Sequence, residues 1–236
     1  MSEMNGSKIL LQSLINHEVN YVFGIPGAKV DQLFDDIVYS NDAKAPRLII
    51  TRHEQNAAFM AAGIGRLTGK PGVVAVTSGP GVTNLATGLV TATSENDPVV
   101  AIGGQVKADD LARLTHQSIA NTAIMEPITK MSVEVQDANN LSEAFSNAYQ
   151  TAMQPKKGAT FLSIPQDVLA NSVTRKVMQA PKKVRQGIPA ATDLAALAQA
   201  IKSAKLPVML VGMRSSDDET TAGIRQFLQN VPLPVV

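Results

Sequence analysis

Four short segments carry side chains able to do chemistry. The first is Thr51-Arg52-His53-Glu54, which opens the apolar run Ala57-Ala58-Phe59-Met60-Ala61-Ala62-Gly63. Read structurally it matches a capping box, in which the Thr51 hydroxyl and the Glu54 carboxylate each satisfy a free backbone donor, and an acid in a first turn also suits the helix dipole. Read functionally, a carboxylate at the mouth of a helix that is apolar around most of its circumference is set for proton exchange with a ligand. The second segment is Ser78-Gly79-Pro80-Gly81-Val82-Thr83-Asn84. It nearly reproduces the dinucleotide-binding fingerprint, but Asn84 stands where the third glycine belongs, and the strand before it is the third of the chain rather than the first.

The third segment is Thr115-His116-Gln117-Ser118, where a lone loop histidine is most simply a surface residue. His17, His53 and His116 lie far apart without paired spacing, so no metal site is expected within the chain. The fourth is Lys29, just after the turn Gly24-Ile25-Pro26-Gly27, where a solvated ammonium is the plain reading. A serine-hydrolase reading fails for want of a Gly-x-Ser-x-Gly elbow.

These segments need elements to hold them, and hydrophobic periodicity supplies the elements. Ile9, Leu10, Leu14 and Ile15 predict a helix, followed by a strand at Tyr21-Val22-Phe23-Gly24. Val30, Leu33, Phe34 and Ile37 predict a second helix, and Arg47-Leu48-Ile49-Ile50 a short strand of the nearly all-apolar kind that is covered on both faces. A helix over residues 52–67, strands over 73–77 and 99–103 and a helix after Gly81 continue the alternation. Residues 105–124 read as irregular with one short helix, residues 129–135 and 159–164 as strands, and residues 141–153 as a helix. Strands alternating with helices at this spacing require crossover connections, so the fold class is α/β with a doubly wound parallel sheet. The domain occupies residues 1–170. Residues 171–190, rich in Lys, Arg, Gln and Pro, read as a linker. Residues 191–236 read as the truncated beginning of a second α/β domain, with a buried strand at 207–212 between two helices.

The bulk composition narrows the function. Among 236 residues, 21 basic and 20 acidic side chains nearly cancel, and aromatics make up only 4%, so a nucleic-acid partner is not expected. No apolar run reaches membrane-spanning length, and the absence of cysteine fits a reducing, cytoplasmic setting.

Taken in order, six segments resemble thiamine-diphosphate-dependent 2-oxoacid enzymes, most closely the acetolactate synthase family: Val22-Phe23-Gly24-Ile25-Pro26-Gly27, Arg52-His53-Glu54, Gly69-Lys70-Pro71-Gly72-Val73, Thr77 through Asn84, Ile102-Gly103-Gly104-Gln105 and Ile164-Pro165-Gln166-Asp167-Val168. The resemblance implies a pyrimidine-binding domain and condensation of two pyruvate molecules to 2-acetolactate and carbon dioxide, through a thiazolium ylide and a hydroxyethyl enamine. It implies Glu54 as the catalytic carboxylate on the cofactor's pyrimidine nitrogen and Gln117 beside the bound intermediate. It further implies Pro26, Gly27, Ser78, Gly81 and Asn84 as lining of the cofactor pocket, and Lys29 with Gln117 as substrate-binding groups. His116-Gln117 in place of a Phe-Gln pair resembles the catabolic, FAD-independent branch that feeds acetoin formation, so FAD is not expected. Magnesium is expected on a C-terminal domain that this chain lacks. The chain by itself is accordingly expected to be an inactive fragment of a homodimer or homotetramer. A non-catalytic remnant, or a related thiamine-diphosphate decarboxylase or oxidase, stands as the alternative.

Overall fold

The computed structural model describes residues 4–181, 187–212, 215 and 217–236. They fall into two compact units, Met1–Pro181 and Lys182–Val236.

The first unit is the parallel sheet that the alternation predicts. Its strands are β1 (Tyr21–Ile25), β2 (Arg47–Ile50), β3 (Gly72–Val76), β4 (Val99–Gln105), β5 (Ser132–Glu134) and β6 (Ala159–Pro165). They pair in the order β2-β1-β3-β4-β6-β5, every ladder parallel. Helices α1 (Gly6–Asn16), α2 (Asp31–Val38), α3 (Glu54–Thr68), α4 (Pro80–Ser94), α5 (Asn121–Met125), α6 (Leu141–Met153) and α7 (Gln166–Ala170) make the connections. The expected strand at 129–135 is shorter: the Thr129 amide still donates to the Met125 carbonyl and closes the short helical segment before β5, and the strand proper begins at Ser132.

Strand alternation divides the core between the two faces of the sheet. Val73, Ala75, Val100 and Ile102 point into a cluster with Leu10 and Leu14 of α1, Leu33 of α2 and Phe145 of α6. Val74, Val76, Val99 and Ala101 point the other way, to Ala57, Ala58 and Ala61 of α3, Leu85 and Leu89 of α4, and Phe161. All five residues of β3 and all seven of β4 are buried. That is why these runs, apart from Gln105 at the end of β4, carry no polar side chain and do not alternate.

The second half of the sheet runs β1, β3, β4 in one direction, whereas β2 lies on the far side of β1. The connections therefore reverse between β1 and β3, and the carboxyl ends of those strands form the crevice where open α/β sheets receive ligands.

Residues 172–178 lie along the first unit. Asn5 and Ser172 form an antiparallel bridge, the Val173 amide donates to the Met4 carbonyl, and the Asn139 side chain accepts from the amides of Thr174 and Arg175. Val173 and Val177 pack on the α1–α6 core. This stretch falls in the segment read from composition as linker. Residues 182–186, also within it, lie outside the described residues.

In the second unit α8 (Ala191–Ser203) and α9 (Asp218–Asn230) form as expected. The buried strand expected at 207–212 does not form. It is a single parallel bridge, Met209 to Val235, with Val208 59% and Leu210 83% exposed. One bridge supplies no second ladder partner, so the apolar run stays uncovered. Among the described residues no helix is long and apolar enough to cross a membrane.

Candidate functional site at the sheet crevice

Glu54 is the first residue of α3, and the capping box read from the sequence is not what holds it. The N-cap is His53, whose ring Nδ1 accepts from the Gln55 amide at 3.1 Å. The Thr51 amide instead donates to the Gly24 carbonyl at 2.9 Å, and its hydroxyl donates to the His53 carbonyl at 3.1 Å. Thr51 thus stays hydrogen-bonded to the end of β1, the helix begins later, and Glu54 occupies the first helical position rather than the third.

What fixes Glu54 is its neighbour helix. Four alanines of α3, Ala57, Ala58, Ala61 and Ala62, are buried in the cluster that also holds Leu85 and Leu89 of α4, and Gly88 of α4 sits so close that a Cβ there would overlap the Ala58 side chain. Small side chains bring the two helices together. There the Asn84 amide donates Nδ2–H to Glu54 Oε2 at 2.9 Å. The other carboxylate oxygen, Oε1, faces Gly81, lying 3.6 Å from where a Cβ on that glycine would stand. Any larger residue at 81 would press on Thr77 Cγ2 at 3.1 Å and fill the space beside Oε1. One oxygen is therefore held by the protein and the other is left toward a cradle with no side chain in it.

The floor of that cradle is the end of β3. Thr77 Oγ1 and Ser78 Oγ are both buried and, among the described residues, neither has a hydrogen-bond partner. A buried hydroxyl without a partner is costly, and such atoms call for a ligand or water. Ser78 belongs to the expected pocket lining; Thr77 does not, although its position directly after a five-residue apolar strand is the signal that could have found it. Gly27, after β1, packs with its backbone against Thr77: a Cβ there would meet the threonine Cβ at 2.7 Å. Pro26 beside it is exposed.

Gln117 reaches the same region from the loop after β4. The turn at residues 115–118 is closed by the Ser118 amide donating to the Thr115 carbonyl at 2.9 Å. Gln117 stands at its third position with φ +66°. It lies directly on Gly79, the N-cap of α4, where φ is +62° and an added Cβ would come within 2.9 Å of Gln117 Cβ. Glycine at 79 is needed on both counts, the left-handed backbone and the close approach. His116 is exposed, as a surface loop histidine would be.

Lys29 goes elsewhere. Its ammonium donates to Gln166 Oε1 at 3.3 Å, and Gln166 Nε2 donates to the Ala28 carbonyl at 2.8 Å. Together with Asp31, Lys107 and Asp167 these line an open cleft of about 610 Å³, to which Glu54, Asn84 and Gln117 do not contribute. Of the residues read from the sequence, Gly27, Glu54, Ser78, Gly81, Asn84 and Gln117 gather at the switch point, whereas Lys29 borders the neighbouring cleft. Among the described residues no group of three or more His, Asp or Glu side chains gathers to hold a metal ion.

Comparison with known proteins falls on the same region. Residues 4–124 match the family described as thiamine pyrophosphate enzyme, N-terminal TPP binding domain. The chain is 50% identical over 232 residues to the acetolactate synthase of Bacillus subtilis, covering 98% of this chain and 40% of that protein. It is 42% identical over 228 residues to a catabolic acetolactate synthase of Raoultella terrigena, covering 97% of this chain and 40% of that protein. With an acetolactate synthase of Mycobacterium leprae it shares 34% over 239 residues, 99% of this chain and 37% of that one. The chain thus spans about 40% of the length of the curated relatives it matches.

Proposed function

The chain belongs to the thiamine pyrophosphate enzyme family, and on that premise we propose that it forms the pyrimidine-binding part of an acetolactate synthase of the catabolic, FAD-independent type. The reaction is the condensation of two pyruvate molecules to 2-acetolactate with loss of carbon dioxide. The complete enzyme is a cytoplasmic homodimer or homotetramer that takes magnesium on ligands outside this chain. The observation that carries the reading is the divided Glu54 carboxylate, one oxygen tied to Asn84 and the other turned to the cradle above Gly81.

The residues at the crevice fit a pyrimidine ring. A carboxylate faces a space kept clear by glycine, and two buried hydroxyls, Thr77 and Ser78, wait for polar atoms. Thiamine diphosphate, when bound, supplies an acidic thiazolium carbon able to add to a 2-oxoacid carbonyl. The chain's own part is orientation and proton holding. Glu54 Oε1 would hydrogen-bond a ring nitrogen and hold or return a proton there, while the bond from Asn84 to Oε2 keeps the carboxylate from rotating away. Gly81 would leave room for the ring beside Oε1, Gly27 lets the turn after β1 close on Thr77, and the Thr77 and Ser78 hydroxyls would offer the ring polar contacts. Gln117, held over Gly79, offers an amide to the reacting substrate. Lys29, one cleft away, is assigned to the approach of the pyruvate carboxylate.

Product analysis tests the reading. The complete protein, given pyruvate, thiamine diphosphate and magnesium without FAD, is expected to form acetolactate. Acetaldehyde or acetate as the product would replace the carboligase by a decarboxylase or oxidase on the same scaffold, and no turnover would leave a non-catalytic relative.

A further inference from the structure

Gln117 sits in a conformation that its own turn does not account for. A glutamine at φ +66° in the third position of a tight turn occupies the place that glycine or asparagine usually fills, and Leu114, which leads into the turn, is also left-handed at φ +50°. Two left-handed residues within four positions persist only where the surroundings over-determine them. The surroundings here are two buried amides at the carboxyl end of β4.

Gln105, 1% exposed, ends β4. Its Nε2–H donates to the Ile119 carbonyl at 2.9 Å, and its Oε1 accepts from the Val106 amide at 3.0 Å, so both ends of the side chain are engaged and the amide cannot rotate. Asn121, also 1% exposed, begins α5. Its Nδ2 donates to the Gly104 carbonyl at 3.0 Å and to Ser163 Oγ at 3.1 Å, which ties the far end of the loop to β4 and β6. Ser163 in turn donates to Glu134 Oε2 at 3.2 Å. Between the two anchors the Asn121 amide donates to the Ile119 carbonyl at 2.8 Å across Ala120, at φ −75° and ψ +69°, an inverse γ-turn. The Ile119 carbonyl thus receives the Gln105 side chain and the Asn121 backbone N–H, while the Asn121 side chain seats that backbone donor against Gly104 and Ser163. That atom lies two residues beyond Gln117.

We propose that Gln105, which holds the Ile119 carbonyl, and Asn121, whose side chain seats the backbone donor to that same carbonyl, are positioning residues that hold the turn at residues 115–118 down on Gly79, aiming Gln117 at the reacting substrate. Neither lines the cradle around Glu54; both act through the loop. The consequence for catalysis rests on the role of Gln117 given above, whereas the clamp itself does not.

Two measurements on the complete protein test this. In Gln105→Met, amide exchange at Ser118, the closing bond of the turn, is expected to rise about tenfold or more, while the amides of β3 keep their protection. Unchanged protection at Ser118 overturns the clamp. In turnover, Gln105→Met is expected to lower kcat by roughly 10- to 100-fold with a smaller change in pyruvate KM, the size of loss that a displaced group produces. Combined with Gln117→Ala it should cost nothing beyond Gln117→Ala alone; losses that multiply would show Gln105 acting by another route and overturn the proposal. Full turnover in Gln117→Ala would sink the reading of Gln117 while leaving the exchange result to stand or fall by itself. If Gln105→Met does not fold, Asn121→Ser removes the side-chain bonds to Gly104 and Ser163 that seat the backbone donor and is expected to show the same exchange signature, with a stable Ser118 amide again counting against the clamp.

Discussion

The two faces of this sheet handle buried polar groups in opposite ways. On the α1–α6 face most are satisfied by a neighbour. Ser13 Oγ donates to the Ile9 carbonyl at 2.8 Å, Ser142 Oγ accepts from the Met178 amide at 2.8 Å, and Thr160 Oγ1 donates to the Ala148 carbonyl at 3.2 Å. Large side chains, among them the fully buried Phe145, fill the space between. At the carboxyl edge beside α3 and α4 the helices meet through alanine and glycine, the hydroxyls of Thr77, Ser78 and Thr115 have no partner among the described residues, and left-handed backbone recurs at Gly79, Leu114 and Gln117. Groups that a protein satisfies internally hold its fold; groups kept in position and unsatisfied are available to a ligand. The contrast predicts that changes on one face lower stability and leave chemistry alone, and that changes at the other do the reverse.

The sharpest division comes from Glu54→Gln. The substitution keeps an oxygen for Asn84 and the volume at the mouth of α3, so the folded protein should unfold at nearly the parent's denaturant midpoint. Losing the group that holds the proton should lower cofactor-dependent turnover by about 10² to 10⁴, the range of a general acid–base contribution. Near-normal pyruvate consumption in that variant would remove Glu54 from the chemistry.

Phe145→Ala is the converse. Its ring is fully buried among Leu10, Leu14 and neighbouring α6 residues, and truncation should cost about 3–5 kcal/mol of unfolding free energy. Turnover per folded molecule should stay close to the parent's. A comparable loss of turnover per folded molecule would mean that the two faces are not independent.

Gly79→Ala straddles the division and is expected to be smaller. With φ +62° and ψ −121° it lies in a region an alanine enters at a cost of about 1–3 kcal/mol, and the new methyl would lie 2.9 Å from Gln117 Cβ, so the turn above it must shift. Denaturant unfolding measures the first effect. Faster proteolysis or exchange of residues 115–118 measures the second, and its absence would show that the loop accommodates the methyl without moving.

The sequence made the layers of this fold legible because both faces of the sheet are covered. Continuous apolar runs such as Val73-Val74-Ala75-Val76 have one reading when helices alternate with them. Glu54 and Asn84 were legible as residues, but the bond between them depends on how closely two helices approach, which Ala58 and Gly88 set across 30 positions of chain. The capping box at Thr51 misled for a related reason: a local pattern competes with a strand that keeps Thr51 hydrogen-bonded to Gly24, and the pattern alone cannot weigh that bond. Lys29 followed the Pro26-Gly27 turn in sequence, yet its long stem carried the ammonium to Gln166. The buried amides of Gln105 and Asn121 gave no periodic signal, since each serves a single loop.

The smallest effect tests one exception on the structural face. His17, 5% exposed, gives its Nδ1–H to the Ser13 carbonyl at 2.8 Å and packs its ring against Phe145 at 5.2 Å and Tyr149 at 4.9 Å between centroids. Nδ1 carries the proton of the neutral ring, so Nε2 is left as a bare acceptor, and among the described residues it has no partner. Protonation would put a charged N–H into that apolar contact, and burial accordingly holds the imidazolium pKa below its ordinary 6.5, against a smaller opposing pull from the Ser13 carbonyl. In the unfolded chain the imidazole takes up its proton near 6.5, and in the folded chain only at lower pH. The stabilising contribution is therefore complete above about pH 7 and is lost as pH falls through 6.5 toward the folded value, with a slope of at most about 1.4 kcal/mol per pH unit for one proton. Tyr149, pushed up to about 12 by burial and then by the charge of Glu18, does not titrate there. Glu18 is held below its ordinary 4.5 by Lys70, so its own contribution is lost only in more acid solution. Urea unfolding of the parent between pH 5.5 and 7.5 should thus show stability rising with pH, and His17→Phe should flatten that rise while filling the same aromatic pocket. A slope that survives the substitution would assign the titration to another group and leave Nε2 without consequence for the fold.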